Sequence, residues 1–256
     1  MKNRQQSEPR LRRLYAPGLR ELLLGGQAGG QTALGEGEAH HALHVLRLGE
    51  GDEVEVFDGA GGRARATICT AGKRDVVVQV RQALEARPAP APAIHLAFAA
   101  PKGNRLDWLL EKATELAAAS LTPVIFERSA TSRDELGPQK LAKWTAHCIA
   151  AAKQCGLDYL PEIRQAVPLA ALLERAEGLR LVGDAGEGSM PLKAALAGRA
   201  IDQVTLMVGP EGGLSPAERA AAITAGFQPV RIGATVLRVE TAGIALVAGV
   251  RAILGD

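Results

Sequence analysis

A short alternation of proline and alanine constrains this chain more than any other feature. Residues 87–92 read RPAPAP, with neither a helical nor a strand period of apolar side chains. Because proline fixes φ and has no amide hydrogen, we expect an extended, semi-rigid connector here. The 256 residues are therefore predicted to form two domains, at 1–86 and 94–256, joined by a linker at 87–93.

The part before the connector has the pattern of β-structure. Polar and apolar residues alternate at 52–57, 63–69 and 75–80, and the run DGAGG at 58–62 is typical of a turn. Residues 40–48 predict one short helix. Short strands joined by glycine-rich turns favour a small β-barrel.

The part after the connector alternates between strand and helix. Apolar strand patterns occur at 94–100, 121–126, 179–183, 203–208 and 228–232. Amphipathic helix patterns occur at 105–119, 138–155, 169–177, 215–225 and 241–254. Ser215 and Glu218 have the spacing of a capping box, and Gly226 follows as a stop signal. Strands that alternate with helices predict a parallel α/β sheet.

The positive charge of the chain is concentrated at its front. The formal net charge is +2, but residues 1–20 hold six lysines and arginines against Glu8 alone, so this segment is +5 and the remainder −3. A basic arm on a nearly neutral body indicates either a polyanionic partner or a solvated terminus. Aromatic residues are only 3% of the chain, which argues against a single-strand binder built on rows of stacking rings.

The cysteines and the hydropathy pattern exclude several classes of protein. Three cysteines without a C-x-x-C pair fit neither a disulfide framework nor a zinc site. Cys148 and Cys155 lie two helical turns apart and are predicted to face inward. No apolar run approaches the roughly 18 residues of a membrane helix, and the front of the chain lacks the apolar core of a signal peptide. We therefore expect a cytoplasmic protein without membrane association.

The segment Gly209–Ser215 (GPEGGLS) connects a predicted strand to the capped helix. Ligands bind at the carboxyl ends of strands in open α/β sheets. Glycines there let the backbone approach a ligand closely. Two glycines would suffice for a tight turn, so the additional Pro210 and Glu211 favour a binding loop.

A second segment, Ile232–Gly243 (IGATVLRVETAG), again leads from a strand into a helix. Thr241 is expected to cap that helix. Arg238 and Glu240 are placed in the loop, either as a surface ion pair of negligible energy or as polar groups held over a pocket. The apolar and small residues around them favour the pocket, since charge in an apolar setting requires a partner.

Other segments are less specific. Lys102 and Arg105, in Lys102–Trp108 (KGNRLDW), suit phosphate contacts near a helix N-terminus or an ordinary solvated helix start. Gln154-Cys155-Gly156 reads as a helix end. The three histidines at 40, 41 and 44 are clustered without a cysteine nearby, and no metal is expected. Walker A, G-x-G-x-x-G, H-E-x-x-H and G-x-S-x-G motifs are absent.

Together these segments resemble a known family. Their order and spacing are similar to those of the bacterial RsmE family, the small-subunit ribosomal RNA uridine-N3 methyltransferases. The resemblance covers nearly the whole chain and rests on Arg10–Tyr15 (RLRRLY), His40–Arg47 (HHALHVLR), Lys102–Leu116, Gln154–Gly156, Gly209–Ser215 and Leu237–Ala242 (LRVETA).

The resemblance implies an α/β fold with two domains. A small N-terminal PUA-like β-barrel would bind RNA, and a C-terminal SPOUT methyltransferase domain would contain a deep trefoil knot. It implies S-adenosylmethionine as cofactor, a homodimer, and a specific uridine of 16S ribosomal RNA in the small ribosomal subunit as the site of N3 methylation. Two alternatives stay open, namely a related enzyme acting on another RNA such as tRNA, and an inactive RNA-binding assembly factor.

The resemblance also implies roles for individual residues. Uracil N3–H is weakly acidic, so its methylation requires a proton acceptor or a stabilising positive charge. The catalytic candidates are Arg238, Glu240 and Glu211. The cofactor is expected against Gly183, Gly209, Pro210, Glu211, Gly212, Gly213, Ile232, Gly233, Val236, Leu237, Arg238 and Thr241. RNA is expected against Arg10, Arg12, Arg13, Arg47, Lys102 and Arg105.

Overall fold

A computed structural model describes residues 11–26, 29–131 and 136–255 of the chain. The chain divides into two units, the first ending at Ala89 and the second beginning at Pro90. The division lies inside the proline-alanine segment, where no regular element is found between 84 and 92.

The first unit is built on one five-stranded sheet. Its strands are β1 (Arg12–Tyr15), β2 (Gln31–Ala33), β3 (Glu53–Phe57), β4 (Arg63–Ala71) and β5 (Val76–Ala83). They lie in the order β1-β3-β4-β5-β2. β1 is parallel to β3, and the other neighbours are antiparallel. The strand predictions that correspond to β3, β4 and β5 are confirmed, whereas β1 and β2 were not predicted.

One face of this sheet carries the core of the first unit. In β4, Ala64, Ala66 and Ile68 are buried and alternate with residues that are more exposed. Helix α1 (Leu19–Leu24) and helix α2 (Glu36–His40) contribute Leu19 and Ala39 to the same core. The helix expected at 40–48 instead begins at Glu36 and continues into a π-helical turn at His41–Val45, because Ala39 and Ala42 provide its buried side.

The second unit is built on an eight-stranded sheet. Its strands are β6 (Ala93–Ala99), β7 (Ser120–Ile125), β8 (Glu162–Ile163), β9 (Val167–Pro168), β10 (Leu179–Gly183), β11 (Met190–Pro191), β12 (Gln203–Val208) and β13 (Gln228–Arg231). The order is β11-β13-β10-β12-β6-β7-β8, with β9 also beside β7. Every pairing is parallel, as the alternation of strands and helices predicted.

Helices cover both faces of this sheet. They are α3 (Asn104–Glu115), α4 (Leu141–Cys155, after a 3₁₀ turn at Pro138–Lys140), α5 (Leu169–Arg175), α6 (Leu192–Leu196), α7 (Pro216–Thr224) and α8 (Val239–Leu254). On β6, Leu96 and Phe98 belong to the core shared with α3, α4, α6 and α8. Ala97 and Ala99 belong to the opposite core, shared with α5 and α7. A parallel sheet buried on both sides places its ligand loops at the strand ends.

Two helix boundaries correct the sequence prediction. Helix α3 ends at Glu115 rather than 119, because Ala117 takes a φ of 58° and the N–H of Ala118 turns back to the carbonyl of Ala113. Helix α8 begins at Val239, whose buried side chain extends the apolar stripe of the helix. Thr241 therefore lies inside the first turn and does not cap the helix, and Glu240 lies on the helix rather than in the loop.

The expected inward face of α4 is only partly correct. Trp144 and Cys148 are buried, but Cys155 is exposed because Ala151 and Ala152 occupy the inward positions near the helix end. Within the described ranges, no helix is both long and apolar enough to cross a membrane.

The start of β10 provides a test of backbone packing. Gly178 has a φ of +68°, and a Cβ atom there would collide with the carbonyl oxygen of Gln203. Gly188 has a φ of +83° but open space around it. We expect Gly178→Ala to lower the free energy of unfolding by about 3 kcal/mol and Gly188→Ala by about 1 kcal/mol. Calorimetry measures both, and equal losses would contradict the close packing against β12.

Candidate functional site

A cavity of about 450 Å³ opens at the carboxyl ends of three strands in the second unit. Three connections form its walls, namely Gly183–Gly186 after β10, Gly209–Leu214 after β12 and Ile232–Leu237 after β13. Val239, Ala242 and Leu246 of α8 also line it. Its volume lies in the range of small-molecule sites.

The segment Gly209–Leu214, called the glycine loop below, has a fixed backbone. The N–H of Gly213 donates to the carbonyl of Pro210 at 2.8 Å, and Gly213 takes a φ of +69° that favours glycine. The loop ends at Ser215, whose hydroxyl accepts from the N–H of Glu218 at 3.3 Å while the Glu218 carboxylate accepts from the N–H of Ser215 at 2.9 Å. This capping box confirms the predicted start of α7.

The segment Ile232–Leu237, called the apolar loop below, leaves apolar side chains uncovered. Val236 is 85% exposed, and Ile232 and Leu237 are also exposed, although all three line the cavity. Burying an apolar side chain of this size releases about 1.5–3 kcal/mol. A ligand with an apolar surface would therefore gain affinity by covering this loop.

Charged groups also line the cavity. The carboxylate of Asp184, directly after β10, lies 3.1 Å from Nε of Arg219 on α7. Its second oxygen accepts from the N–H of Gly186 at 2.8 Å. Arg231 donates to the carbonyl of Ser189. The cavity thus combines an apolar wall with a fixed carboxylate, which suits a ligand that has both apolar and polar parts.

A second group of charges joins three elements beside the glycine loop. Arg105, in the first turn of α3, places Nη1 3.6 Å from Glu211 of the loop and 4.0 Å from Glu240 of α8. Glu240 is only 4% exposed, and its Oε2 has no hydrogen-bond partner among the described residues. Burial of a carboxylate oxygen without a partner costs free energy. Such a group is typical of a site in which a further polar atom binds.

The structure brings most of the predicted cofactor residues together. Nine of the twelve line the cavity: Gly183, Gly209, Pro210, Glu211, Gly213, Ile232, Gly233, Val236 and Leu237. Gly212, Arg238 and Thr241 are outside its lining. Arg238 is exposed at the residue preceding α8 and makes no capping bond with its side chain.

Several lining residues were missed by the sequence analysis. Asp184, Gly186 and Arg219 line the cavity. The run GDAGEG at 183–188 does not have the spacing of a dinucleotide-binding motif. It is, however, rich in glycine and lies at the end of a strand, and the same two signals identified the glycine loop. Thr235 and Arg231 belong to the same lining.

The residues expected to contact RNA differ in their surroundings. Arg13 is buried, with Nε 2.8 Å from Glu55 and the guanidinium 4.5 Å from the centre of the Phe57 ring, so its contacts are those of a core residue. Arg12, Arg47 and Lys102 are exposed, Arg105 is engaged with Glu211 and Glu240, and Arg10 lies outside the described residues.

The buried cysteine does not belong to this site. Burial between α3 and α4 raises the pKa of the Cys148 thiol to about 11, against the weaker opposing effect of a hydrogen bond with Thr114. The thiol therefore stays protonated and unreactive at neutral pH. Among the described residues, no group of three histidine, cysteine or acidic side chains could hold a metal ion.

Known proteins of similar sequence are RNA methyltransferases. A family model described as RNA methyltransferase domain matches residues 87–251, and one described as RNA methyltransferase PUA domain matches residues 34–81. The chain is 32% identical to the ribosomal RNA small subunit methyltransferase E of Synechocystis, with 85% of this chain and 71% of that protein aligned. It is 32% identical to the protein of the same name from Mycobacterium bovis, with 83% of each aligned.

Two solved structures of similar fold contain a methyl donor. A methyltransferase of Legionella pneumophila in complex with the cofactor SAM has a TM-score of 0.85 and 31% identity, covering 95% of this chain and 98% of that one. A ribosomal RNA small subunit methyltransferase E of Neisseria gonorrhoeae bound to S-adenosyl methionine has a TM-score of 0.82 and 25% identity, with the same coverage.

The buried carboxylate of Glu240 provides a test of the site. We expect Glu240→Met to raise the free energy of unfolding by about 1 kcal/mol, because the cost of burying a half-paired charge exceeds its favourable position in the first turn of α8. Arg105→Met should lower it by about 1 kcal/mol, since Glu240 then loses its counter-charge. Thermal unfolding of both variants measures these changes in the free energy of unfolding. A destabilised Glu240→Met protein would show that the carboxylate stabilises the fold.

Proposed function

Because this chain belongs to the RNA methyltransferase family that includes the small-subunit ribosomal RNA methyltransferases E, we propose that it methylates N3 of one uridine in 16S ribosomal RNA, with S-adenosylmethionine as the methyl donor. The observation that carries this proposal is the cavity at the carboxyl edge of the parallel sheet, walled by the glycine loop and the apolar loop. The domain matched to the RNA methyltransferase PUA model supports an RNA substrate.

The cavity residues fit S-adenosylmethionine. Ile232, Val236 and Leu237 of the apolar loop would pack against the adenine ring. Asp184 offers a carboxylate to hydroxyl or ammonium groups, and the glycines of the glycine loop let the backbone come close to the ligand. When bound, the donor supplies an electrophilic methyl group; the protein supplies orientation and electrostatics.

The side chains beside the cavity would prepare the uracil. Loss of the N3 proton leaves a negative charge on the ring, which a guanidinium stabilises. Arg238, exposed at the residue before α8, is our candidate for that role. Glu211 and Glu240, both near Arg105, are our candidates to accept the proton, and Oε2 of Glu240 has no hydrogen-bond partner among the described residues.

The RNA itself would be held mainly through charge. The front of the chain carries the concentrated positive charge, and Arg12 and Arg47 of the first unit are exposed. Lys102 is exposed after β6 in the second unit. Lysine and arginine side chains that meet phosphates release counterions and give affinity without reading sequence. We assign Arg13 to the core of the first unit rather than to the RNA contact.

We further propose three features of the architecture. The first unit forms a PUA-like barrel, and the second unit contains the deep trefoil knot of SPOUT enzymes. The protein works as a homodimer through α3 and α8. Trp108 on α3 and Ile253 on α8 are exposed large apolar side chains that a second copy would cover. Its substrate would place it in the cytoplasm.

Ribosomal RNA from a strain lacking this protein tests the proposed reaction. We expect nucleoside mass spectrometry to show the loss of a single 3-methyluridine from the small-subunit RNA, and the purified protein with S-adenosylmethionine to restore it. Loss of a transfer-RNA modification would indicate a related enzyme with another substrate. An unchanged modification pattern would indicate an RNA-binding factor without activity.

Light scattering tests the dimer. The full chain of 26.8 kDa should elute with twice that mass. Trp108→Glu should reduce the mass to that of one chain, because a charge would be buried in the interface. Ile223→Glu is the matched control, since Ile223 is equally exposed but lies on α7, on the other face of the sheet. A monomeric parent protein at micromolar concentration would disprove the dimer.

A further inference from the structure

The segment that follows β7 is bonded to the glycine loop. Nη1 of Arg128 donates to the carbonyl of Gly212 at 2.8 Å. A Cβ atom on Gly212 would lie 3.4 Å from the Arg128 side chain, so the two groups are in close contact. Gly212 stands between Glu211 and Gly213, which both line the cavity. Arg128 is outside the cavity lining, and its contact reaches the site only through the loop backbone.

A second bond reaches the end of the same loop. The N–H of Glu127 donates to Oε1 of Glu218 at 2.7 Å, while Oε2 of Glu218 accepts from the N–H of Ser215. The carboxylate that completes the capping box thus also holds the segment after β7. The segment after β7 is thus bonded to the glycine loop at Gly212 and to Glu218 of α7, whose carboxylate also caps Ser215 directly after the loop.

The segment Phe126–Thr131, called the brace below, is itself anchored. The N–H of Phe126 donates to the hydroxyl of Ser129 at 2.9 Å, and the ring of Phe126 is buried in the core shared with α5 and α7. The hydroxyl of Thr131 donates to the carbonyl of Ala100, after β6, at 3.0 Å. The brace is therefore fixed to the sheet at both ends, and Arg128 extends from a fixed base.

The glycine loop needs such an external contact. Its three glycines lose more conformational freedom on ordering than other residues do, and they offer no side chains for packing. A guanidinium bonded to a backbone carbonyl is a charge-assisted hydrogen bond, which is stronger than a neutral one. The bond from Arg128 thus restrains the loop at Gly212.

From this geometry we propose that Arg128 is a positioning residue for the cofactor: it holds the glycine loop, through the Gly212 carbonyl, in the conformation that binds S-adenosylmethionine. This inference rests on the proposed function, because it concerns the same cavity. It assigns Arg128 neither a contact with the reacting atoms nor a contact with RNA.

Three variants test the proposal in the full-length protein. Arg128→Met removes the donor and keeps the apolar stem, and we expect calorimetry to show about tenfold weaker binding of S-adenosylmethionine. Arg128→Lys keeps a charged donor and should bind within about threefold of the parent protein. Arg175→Met, at an exposed arginine on α5, is the matched control and should bind like the parent.

A second measurement separates positioning from an RNA contact. The slope of RNA affinity against salt concentration should be the same for Arg128→Met and the parent, since no phosphate contact is removed. Unchanged cofactor affinity in Arg128→Met would overturn the proposal, and so would a lowered salt slope together with normal cofactor binding. Failure of the parent protein to bind S-adenosylmethionine would instead contradict the proposed function, which keeps the two failures distinct.

Discussion

The parallel pairing of β6, β12, β10 and β13 is the constraint on which the rest of the second unit depends. Parallel strands leave the sheet at the same edge, so each must be followed by a crossover that returns the chain to the other edge. Both faces of the sheet are then covered by helices, and β6 accordingly has large side chains on one face and alanines on the other. In such a sheet, the backbone N–H and C=O groups that are not bonded within strands or helices lie in the loops at the ends of the strands. The cavity is found there because the loops after β10, β12 and β13 meet at one edge.

A loop whose backbone closely approaches a ligand has two requirements. Its residues must have little or no side chain, and its backbone must keep one conformation. Glycines satisfy the first requirement and oppose the second. In this protein the conflict is resolved by groups outside the loop. The capping box of Ser215 and Glu218 fixes the loop where it enters α7, and Arg128 fixes it at Gly212. The apolar loop differs, since its uncovered side chains lower the stability of the free protein and raise its affinity for a ligand that covers them.

The cluster of Arg105, Glu211 and Glu240 shows a different compromise. A carboxylate that is almost fully buried, with its counter-charge at 4.0 Å and one oxygen without a hydrogen-bond partner among the described residues, is unfavourable for folding. Apolar residues of similar size would fill the same position between α3 and α8 at lower cost. The arrangement joins the start of α3, the glycine loop and the start of α8 in one electrostatic unit.

The sequence by itself determined the elements whose signals are local. These signals depend only on neighbouring residues: the hydrophobic period, the capping box at Ser215 and the glycines at 209–213. They predicted the central strands, the parallel class of the sheet and two of the three cavity walls. Tertiary structure decided the features that depend on distant residues. The burial of Arg13 follows from pairing with Glu55 across the sheet, the start of α8 at Val239 follows from packing against the core, and the contacts of Arg105 and Arg128 join residues far apart in the chain. Short strands such as β8, β9 and β11 also escaped prediction, because two residues carry no period and are held in place by their neighbours in the sheet.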